Sequence, residues 1–384
     1  MGYGLFFLYV VDTMSEKKRL MYVNYSLAMG GIERMIVEFV NRFKGEFSIQ
    51  VAVFEAGGGL ERVIEEQGVP VFSLDKKEGI DTLLIYRLIK LFKKSGVEIV
   101  HTNNFNTWFY VSIAALACPG LVTVHTEHSL VRGEKFRRFF IERILSHLTK
   151  SVIAVSEDVR QLMINKASIA PSQVRVIQNG INVRKFAFSE QSRLEKRKEL
   201  GVGSDMVVYG AVGRLVEVKD HATLIHSFSK HLDDVGQGYN SCLVIIGDGR
   251  LRGELNKLIS SLGLESVVFI MGERHDVVQW LSAFDVYCMS SLSEGMSISL
   301  LEAMSAGLPV LATSVGGNVE LVENNANGLL VQPQNIQSFL GAMNRMQDGQ
   351  LRRALGRAGR EFVLSEFSDT AMLGAYKECY LGLN

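Results

Sequence analysis

Ser293-Glu294-Gly295-Met296-Ser297-Ile298-Ser299-Leu300-Leu301-Glu302-Ala303-Met304, with Gly307-Leu308-Pro309-Val310 and Val315-Gly316-Gly317 behind it, is the stretch whose reading decides the fold. An apolar run, 285–289, precedes it, and a second, 310–312, follows. The order is strand, glycine-led turn, helix, strand. Two carboxylates, Glu294 and Glu302, stand eight residues apart around the helix start. The first amides of a helix have no internal partner and face a favourable dipole, so they suit a phosphate. Ionised carboxylates are strong acceptors for the hydroxyls of a neutral polyol. A phosphate held between two polyol-binding acids is the requirement of a nucleotide-sugar site.

Outward from this unit the same alternation fills the chain. Strands are expected at 21–24, 49–54, 69–73, 99–101, 121–125, 152–155 and 174–177, with helical patterns between them at 32–43, 82–94 and 136–148. A second series restarts at 207–212 and continues at 242–246, 267–271, 286–289, 310–312 and 329–331. Short apolar runs alternating with longer amphipathic segments indicate α/β architecture with parallel sheets. The polar, charge-rich stretch 184–205 is the expected linker, and 365–384 is helical by pattern with no strand after it. Two doubly wound domains would bind ligand at the carboxyl ends of their strands.

With 384 residues, 47% hydrophobic and 21% charged, the chain can bury two full cores. Basic and acidic residues balance at 41 each, which provides no global field for nucleic acid. The four cysteines are scattered without CxxC spacing and read as reduced, buried residues of a cytosolic protein. Residues 2–11 are apolar but too short to span a bilayer, which takes about 20 residues, and they lack a signal-peptide plan. Met14-Ser15-Glu16-Lys17 reads as the natural beginning, so 1–14 are expected to derive from a mis-assigned start codon, with a peripheral membrane contact as the lesser reading.

Several smaller constellations carry chemistry. Gly30-Gly31-Ile32-Glu33-Arg34 follows the first strand and opens a helix, where paired glycines admit a ligand to the backbone; a tight turn explains it equally well. Arg214 and Lys219 follow the first strand of the second series and could hold a diphosphate, or be solvated charges. Gly247-Asp248-Gly249-Arg250-Leu251-Arg252-Gly253 approaches a dinucleotide fingerprint, with Glu273 where a ribose-binding acid belongs, but its glycine spacing is one residue too long. His125-Thr126-Glu127-His128-Ser129 ends a strand, and a histidine there suits hydrogen bonding to substrate. His221, His226 and His231 spread around one helix and carry no signal. No Asp-x-Asp occurs, so no metal or other cofactor is expected.

Taken in order, these motifs resemble glycosyltransferase family 4, retaining enzymes of the GT-B fold. Ala154-Val155-Ser156, Val176-Ile177-Gln178-Asn179-Gly180-Ile181-Asn182 with Phe186, and Gly328-Leu329-Leu330-Val331 add to the likeness. Within the family the chain is similar to bacterial exopolysaccharide and surface-polysaccharide transferases, through Gly30 to Arg34, His101-Thr102-Asn103-Asn104, His125 to His128 and Glu294 to Ser297. The resemblance implies two Rossmann-like domains facing a cleft: 1–183 on the acceptor side, 184–365 binding the donor, and 366–384 crossing back as a helix. It implies a metal-independent hexosyltransferase, a UDP-sugar donor and a saccharide or lipid-linked acceptor. Arg214 and Lys219 would hold the diphosphate. Glu294, Gly295, Met296 and Ser297 would orient the sugar, Glu302 would bind the ribose, and Gly31 would border the diphosphate. His125 would touch the sugar near the reacting carbon, with His128, Gly30 and Gly247 as alternates. The relatives often carry a bulky residue where this chain has Met296, and apolar ones where it has Ser297 and Ser299.

Two rival readings stand beside this one, a nicotinamide-dependent oxidoreductase built on the Gly247 loop and a catalytically silent scaffold of the same fold. The segment 135–148, basic and apolar by turns, could rest on anionic lipid at the inner face of the cell membrane, or be an ordinary packed helix.

Overall fold

In this computed structural model, residues 17–28, 30–128, 136–236 and 240–383 are described. The expectations for 1–14, Ser129 and Lys135 lie outside them. The first series forms β1 (Arg19–Asn24), β2 (Ser48–Val53), β3 (Val71–Ser73), β4 (Ile99–Thr102), β5 (Val122–Glu127), β6 (Ser151–Ala154) and β7 (Val174–Val176). The second forms β8 (Val207–Val212), β9 (Ser241–Ile246), β10 (Val268–Ile270), β11 (Val286–Met289), β12 (Val310–Thr313) and β13 (Leu329–Val331). The strand orders are β3-β2-β1-β4-β5-β6-β7 and β10-β9-β8-β11-β12-β13. Both follow the doubly wound pattern in which the chain returns to the middle and builds outward again.

The chain divides into two compact units, one made of the residues up to His101 with Ile113–Val122, the other of Thr102–Ser112 with everything from Thr123 onward. In the first, β1 to β3 pair in parallel and the helix Gly31–Phe43 lays Phe39 against Tyr22, with Phe43 packed on Phe39. In the second, one apolar core runs from Trp108, Val152 and Val155 to Trp280, Met289, Met296 and Leu300. The opposite face of the second sheet is closed by Leu224, Phe228, Phe339 and Met343. Two successive helices end the chain; the last, Asp369–Leu381, sets Tyr376 Oη 3.1 Å from Thr126 Oγ1 and Cys379 Sγ 3.5 Å from Ser151 Oγ.

Two local expectations needed correction. β5 extends to Glu127, because Thr126 and Glu127 remain paired with Ile153 and Ala154 and are buried; their polarity imitates a loop. The expected linker contains a helix, Glu190–Leu200, capped by Ser189 and ended by Gly201 in the left-handed region. Its charges are structural. Asp285, just before β11, accepts from Arg193 Nη2 (2.7 Å), Arg197 Nη1 (3.0 Å) and the Val208 amide (2.8 Å), while Arg197 also donates to the carbonyls of Gly203, Met206 and Ala283. Arg197 is buried. Removing one partner of a buried ion pair costs about 3–5 kcal/mol, because the other charge is left uncompensated. Asp285→Ala is therefore expected to lower the urea midpoint sharply, whereas Glu195→Ala on the exposed face of the same helix should leave it nearly unchanged.

Candidate functional site

β8 and β11 lie side by side at the point where the second sheet reverses its strand order, and ligands of such sheets bind beyond the carboxyl ends at that point. β8 leads into Gly213-Arg214-Leu215 and the short helical turn Glu217–Lys219; β11 leads into Ser290, Ser291 and the Glu294 loop. The two loops are stitched together by Leu292 N to Val218 O (2.8 Å) and Ser290 Oγ to Lys219 O (2.8 Å). Across them Lys219 Nζ meets Glu294 Oε1 at 2.5 Å, and Ser291 Oγ donates to the same oxygen at 2.5 Å. Arg214 stands exposed beside them.

The loop continues into the helix Ile298–Ser305. Ser297 caps it by accepting from the Leu300 amide at 3.3 Å, and Glu302 lies buried within it. Among the described residues the amides of Gly295, Met296 and Ser297 donate no hydrogen bond. Unpaired amides ahead of a helix start are acceptor-seeking. Tyr287 Oη, buried beneath, donates to Val212 O at 3.3 Å, and burial raises its pKa above the ordinary phenol value. Lys219, Glu294 and the buried loop residues Gly295, Met296 and Ser297 thus adjoin, with Glu302 buried in the helix that follows.

The carboxyl ends of β5, β6 and β7 press on the same loop. A Cβ on Gly295 would sit 1.6 Å from the His128 carbonyl oxygen and 3.3 Å from Val155 Cγ2, which only a glycine avoids. Asn179 Nδ2 donates to Met296 O at 3.1 Å. On the other flank Gly317 N donates to Glu294 O at 3.3 Å. His128 Nε2 lies 3.3 Å from Asn103 Oδ1, and burial with nearby His125 pushes its pKa down to about 3. His125 is fully buried, stacked on Trp108 at 3.9 Å with Nδ1 2.9 Å from Thr102 Oγ1. Its Nε2 is 3.6 Å from Glu127 Oε2, and Arg138 bridges Glu127 and Glu142. Burial and then Arg138 hold His125 well below the ordinary range. Of the two histidines, His128 adjoins the Glu294 loop; His125 lies under the Trp108 ring. Neither Asn103 nor Trp108 has a motif that singles it out, although Asn103 falls in the His101 to Asn104 run.

Two glycine motifs are occupied by the fold itself. Around Gly30, Glu33 folds back so closely that its carboxylate fills the space of a Cβ, and its other oxygen takes Asn24 Nδ2 at 3.4 Å; Gly31 begins the helix. Gly247, with φ +145, and Gly249 pack on the carbonyls of Gly213 and Leu215, where any Cβ would be 1.9 and 2.5 Å away. Backbone packing between adjacent loops therefore accounts for the dinucleotide-like spacing. Among the described residues no group of three His, Cys, Asp or Glu side chains could hold a metal ion.

Residues 29–185 match the model of Glycosyltransferase Family 4, and residues 192–362 that of Glycosyl transferases group 1. A lipopolysaccharide core biosynthesis glycosyltransferase, LpsE of Rhizobium meliloti, is 30% identical over 90% of this chain and 94% of its own. The chain is a family 4 glycosyltransferase. An Escherichia coli UDP-Gal:alpha-D-GlcNAc-diphosphoundecaprenol alpha-1,3-galactosyltransferase is 26% identical over 96% of this chain and 98% of its own. Among solved structures, Anabaena Alr3699/HepE with UDP and glucose has a TM-score of 0.86 at 22% identity, covering 95% and 100%. WaaG, a glycosyltransferase of lipopolysaccharide biosynthesis, has 0.75 at 18%, covering 93% and 98%. The fold is GT-B.

His221, with burial and then Lys219 lowering its pKa to about 4, joins His125 and His128 as a histidine buried in its neutral form. Unfolded histidine titrates near 6.5, so the stability these three contribute is complete above that pH. It is lost as pH falls toward their folded values, at about 1.4 kcal/mol per unit for each. Urea midpoints are expected to fall steadily from pH 7 to pH 5; a flat profile over that interval would contradict the burial of neutral imidazoles.

Proposed function

We propose that this glycosyltransferase is retaining and metal-independent, and moves a hexose from a UDP-sugar to a saccharide or lipid-linked acceptor in surface-polysaccharide synthesis. The observation that carries the reading is the Lys219–Glu294 pair at the strand-order reversal, beside unpaired loop amides. Each charge of the pair neutralises the other. A donor diphosphate would take Lys219 and Arg214, releasing Glu294 to accept hydroxyls of the transferred sugar, with Glu302 on the ribose. Front-face attack would then break the bond from the anomeric carbon to the diphosphate and form one to the acceptor oxygen, whose proton passes to the departing phosphate. Cations fixed where that negative charge develops are often the largest catalytic contribution. The UDP and UDP-glucose complexes of HepE and the UDP-Gal donor of the Escherichia coli relative favour uridine.

Thermal-shift titration with UDP, GDP, ADP and NAD(H) tests this directly, since a ligand of the native state alone raises its stability. UDP is expected to stabilise the protein, with Lys219→Ala and Glu302→Ala each weakening its binding about ten- to a hundred-fold, the worth of a charged hydrogen bond. Stabilisation by NAD(H) alone, indifferent to both variants, would overturn the donor assignment.

The acceptor side bears on location. The helix Phe136–His147 exposes Phe140 and Ile144, Leu148 follows them, and Arg137, Arg143, His147 and Lys150 are exposed around them. An apolar stripe rimmed by cations matches an anionic lipid surface, and we place the enzyme peripherally on the inner face of the cell membrane. No helix among the described residues is long and apolar enough to cross a membrane. Co-sedimentation with phosphatidylglycerol vesicles should fall about tenfold or more in the double variant Phe140→Ser/Ile144→Ser. Equal binding by both proteins would remove the membrane contact.

A further inference from the structure

Which way the loop amides point is decided by what holds their peptide carbonyls. In a trans peptide the C=O of one residue and the N–H of the next are antiparallel within one plane. Anchoring Glu294 O on the Gly317 amide therefore turns the Gly295 N–H the opposite way, away from Gly317. Anchoring Met296 O on Asn179 Nδ2 does the same for the Ser297 N–H. The first anchor is backbone to backbone and needs Gly316 and Gly317, where a Cβ would sit 1.8 Å from Glu294 O and 1.9 Å from Gly295 O. The second is a side chain, and only a donor can serve.

Asn179 is built for that task. It is 2% exposed, and its Oδ1 has no hydrogen-bond partner among the described residues. Its backbone is fixed from behind by the junction of the two final helices. Ile181 N donates to Phe367 O at 3.0 Å, and Asp369 N donates to Ile181 O at 2.9 Å. Gly180 lies so close to Ser368 that a Cβ would be 2.5 Å from its carbonyl oxygen. The last helix thus sets Asn179, and Asn179 sets a peptide of the donor loop. We propose that Asn179 is a positioning residue for the transferred sugar, aiming the Ser297 amide at it through the Met296 carbonyl, and that it contributes nothing to holding the nucleotide. This rests on the donor-site reading above, with Lys219, Arg214 and Glu302 as the nucleotide's own contacts.

Calorimetric titration of the wild type, Asn179→Ala and Asn179→Asp with UDP and with UDP-glucose separates the two ideas. Asparagine and aspartate are nearly isosteric, but an ionised aspartate repels the Met296 carbonyl instead of donating to it. Both variants are expected to bind UDP within about twofold of wild type, which also verifies folding. Their affinity for UDP-glucose relative to UDP should fall about tenfold, the order of one hydrogen bond. An unchanged ratio in both variants overturns the role of Asn179 while leaving the donor site standing, and so does an equal loss of both ligands. Failure of the wild type to bind UDP overturns the donor site itself, and this inference with it.

Discussion

The pairing of β8 with β11 is the constraint on which the rest of the site depends. These strands are not consecutive; the chain leaves β8, builds β9 and β10 on one side, and returns to build outward on the other. Such a reversal leaves a crevice beyond the two central strands that no connecting loop covers. Lys219 and Glu294 are separated by 75 residues, yet they meet there at 2.5 Å because each closely follows one of the two central strands. Sheet topology, rather than any local motif, is what turns a cation and an acid into one unit.

A second layer supports that unit. The Glu294 loop is held on its flanks by backbone, at the Gly317 amide and the His128 carbonyl, and from one further side by Asn179. Glycine at 295 is required by the closeness of His128, so a residue that reads as a flexible turn serves tight packing instead. Beyond it, Glu320 accepts from the amides of Glu157 and Asp158, at 3.3 and 3.0 Å, and so ties the segment after Gly317 to the start of the helix Glu157–Asn165. Preorganised contacts of this kind leave the loop amides unpaired without leaving the loop slack.

Buried polarity elsewhere follows the same logic of compensation. Asp285 holds two arginines and a strand amide, which fastens the helix Glu190–Leu200 to the amino ends of the two central strands of the second sheet. His125, stacked on Trp108, is kept neutral by burial and then by Arg138. In each case, groups that look like surface charge or loop chemistry are interior, because the low-dielectric surroundings are matched by named partners.

Much was legible in the sequence. Apolar runs of three to six residues located the strands to within a few residues, since parallel strands covered on both faces have little choice of composition. The glycine-led helix start between two strands was readable because its turn chemistry is local and its order matches a known family. What the sequence obscured was pairing at a distance. Residues 184–205 read as a linker because the acid that neutralises them stands about ninety positions away. The Gly247 loop read as a dinucleotide motif because nothing local reveals that Gly213 lies against it. Thr126 and Glu127 read as loop because their partners are on β6 and the last helix. The sequence by itself determined the elements and the kinds of groups available. Only the tertiary structure decided which of them touch, because contacts between strands and loops are fixed by sheet order and close packing, and neither is written in any local window.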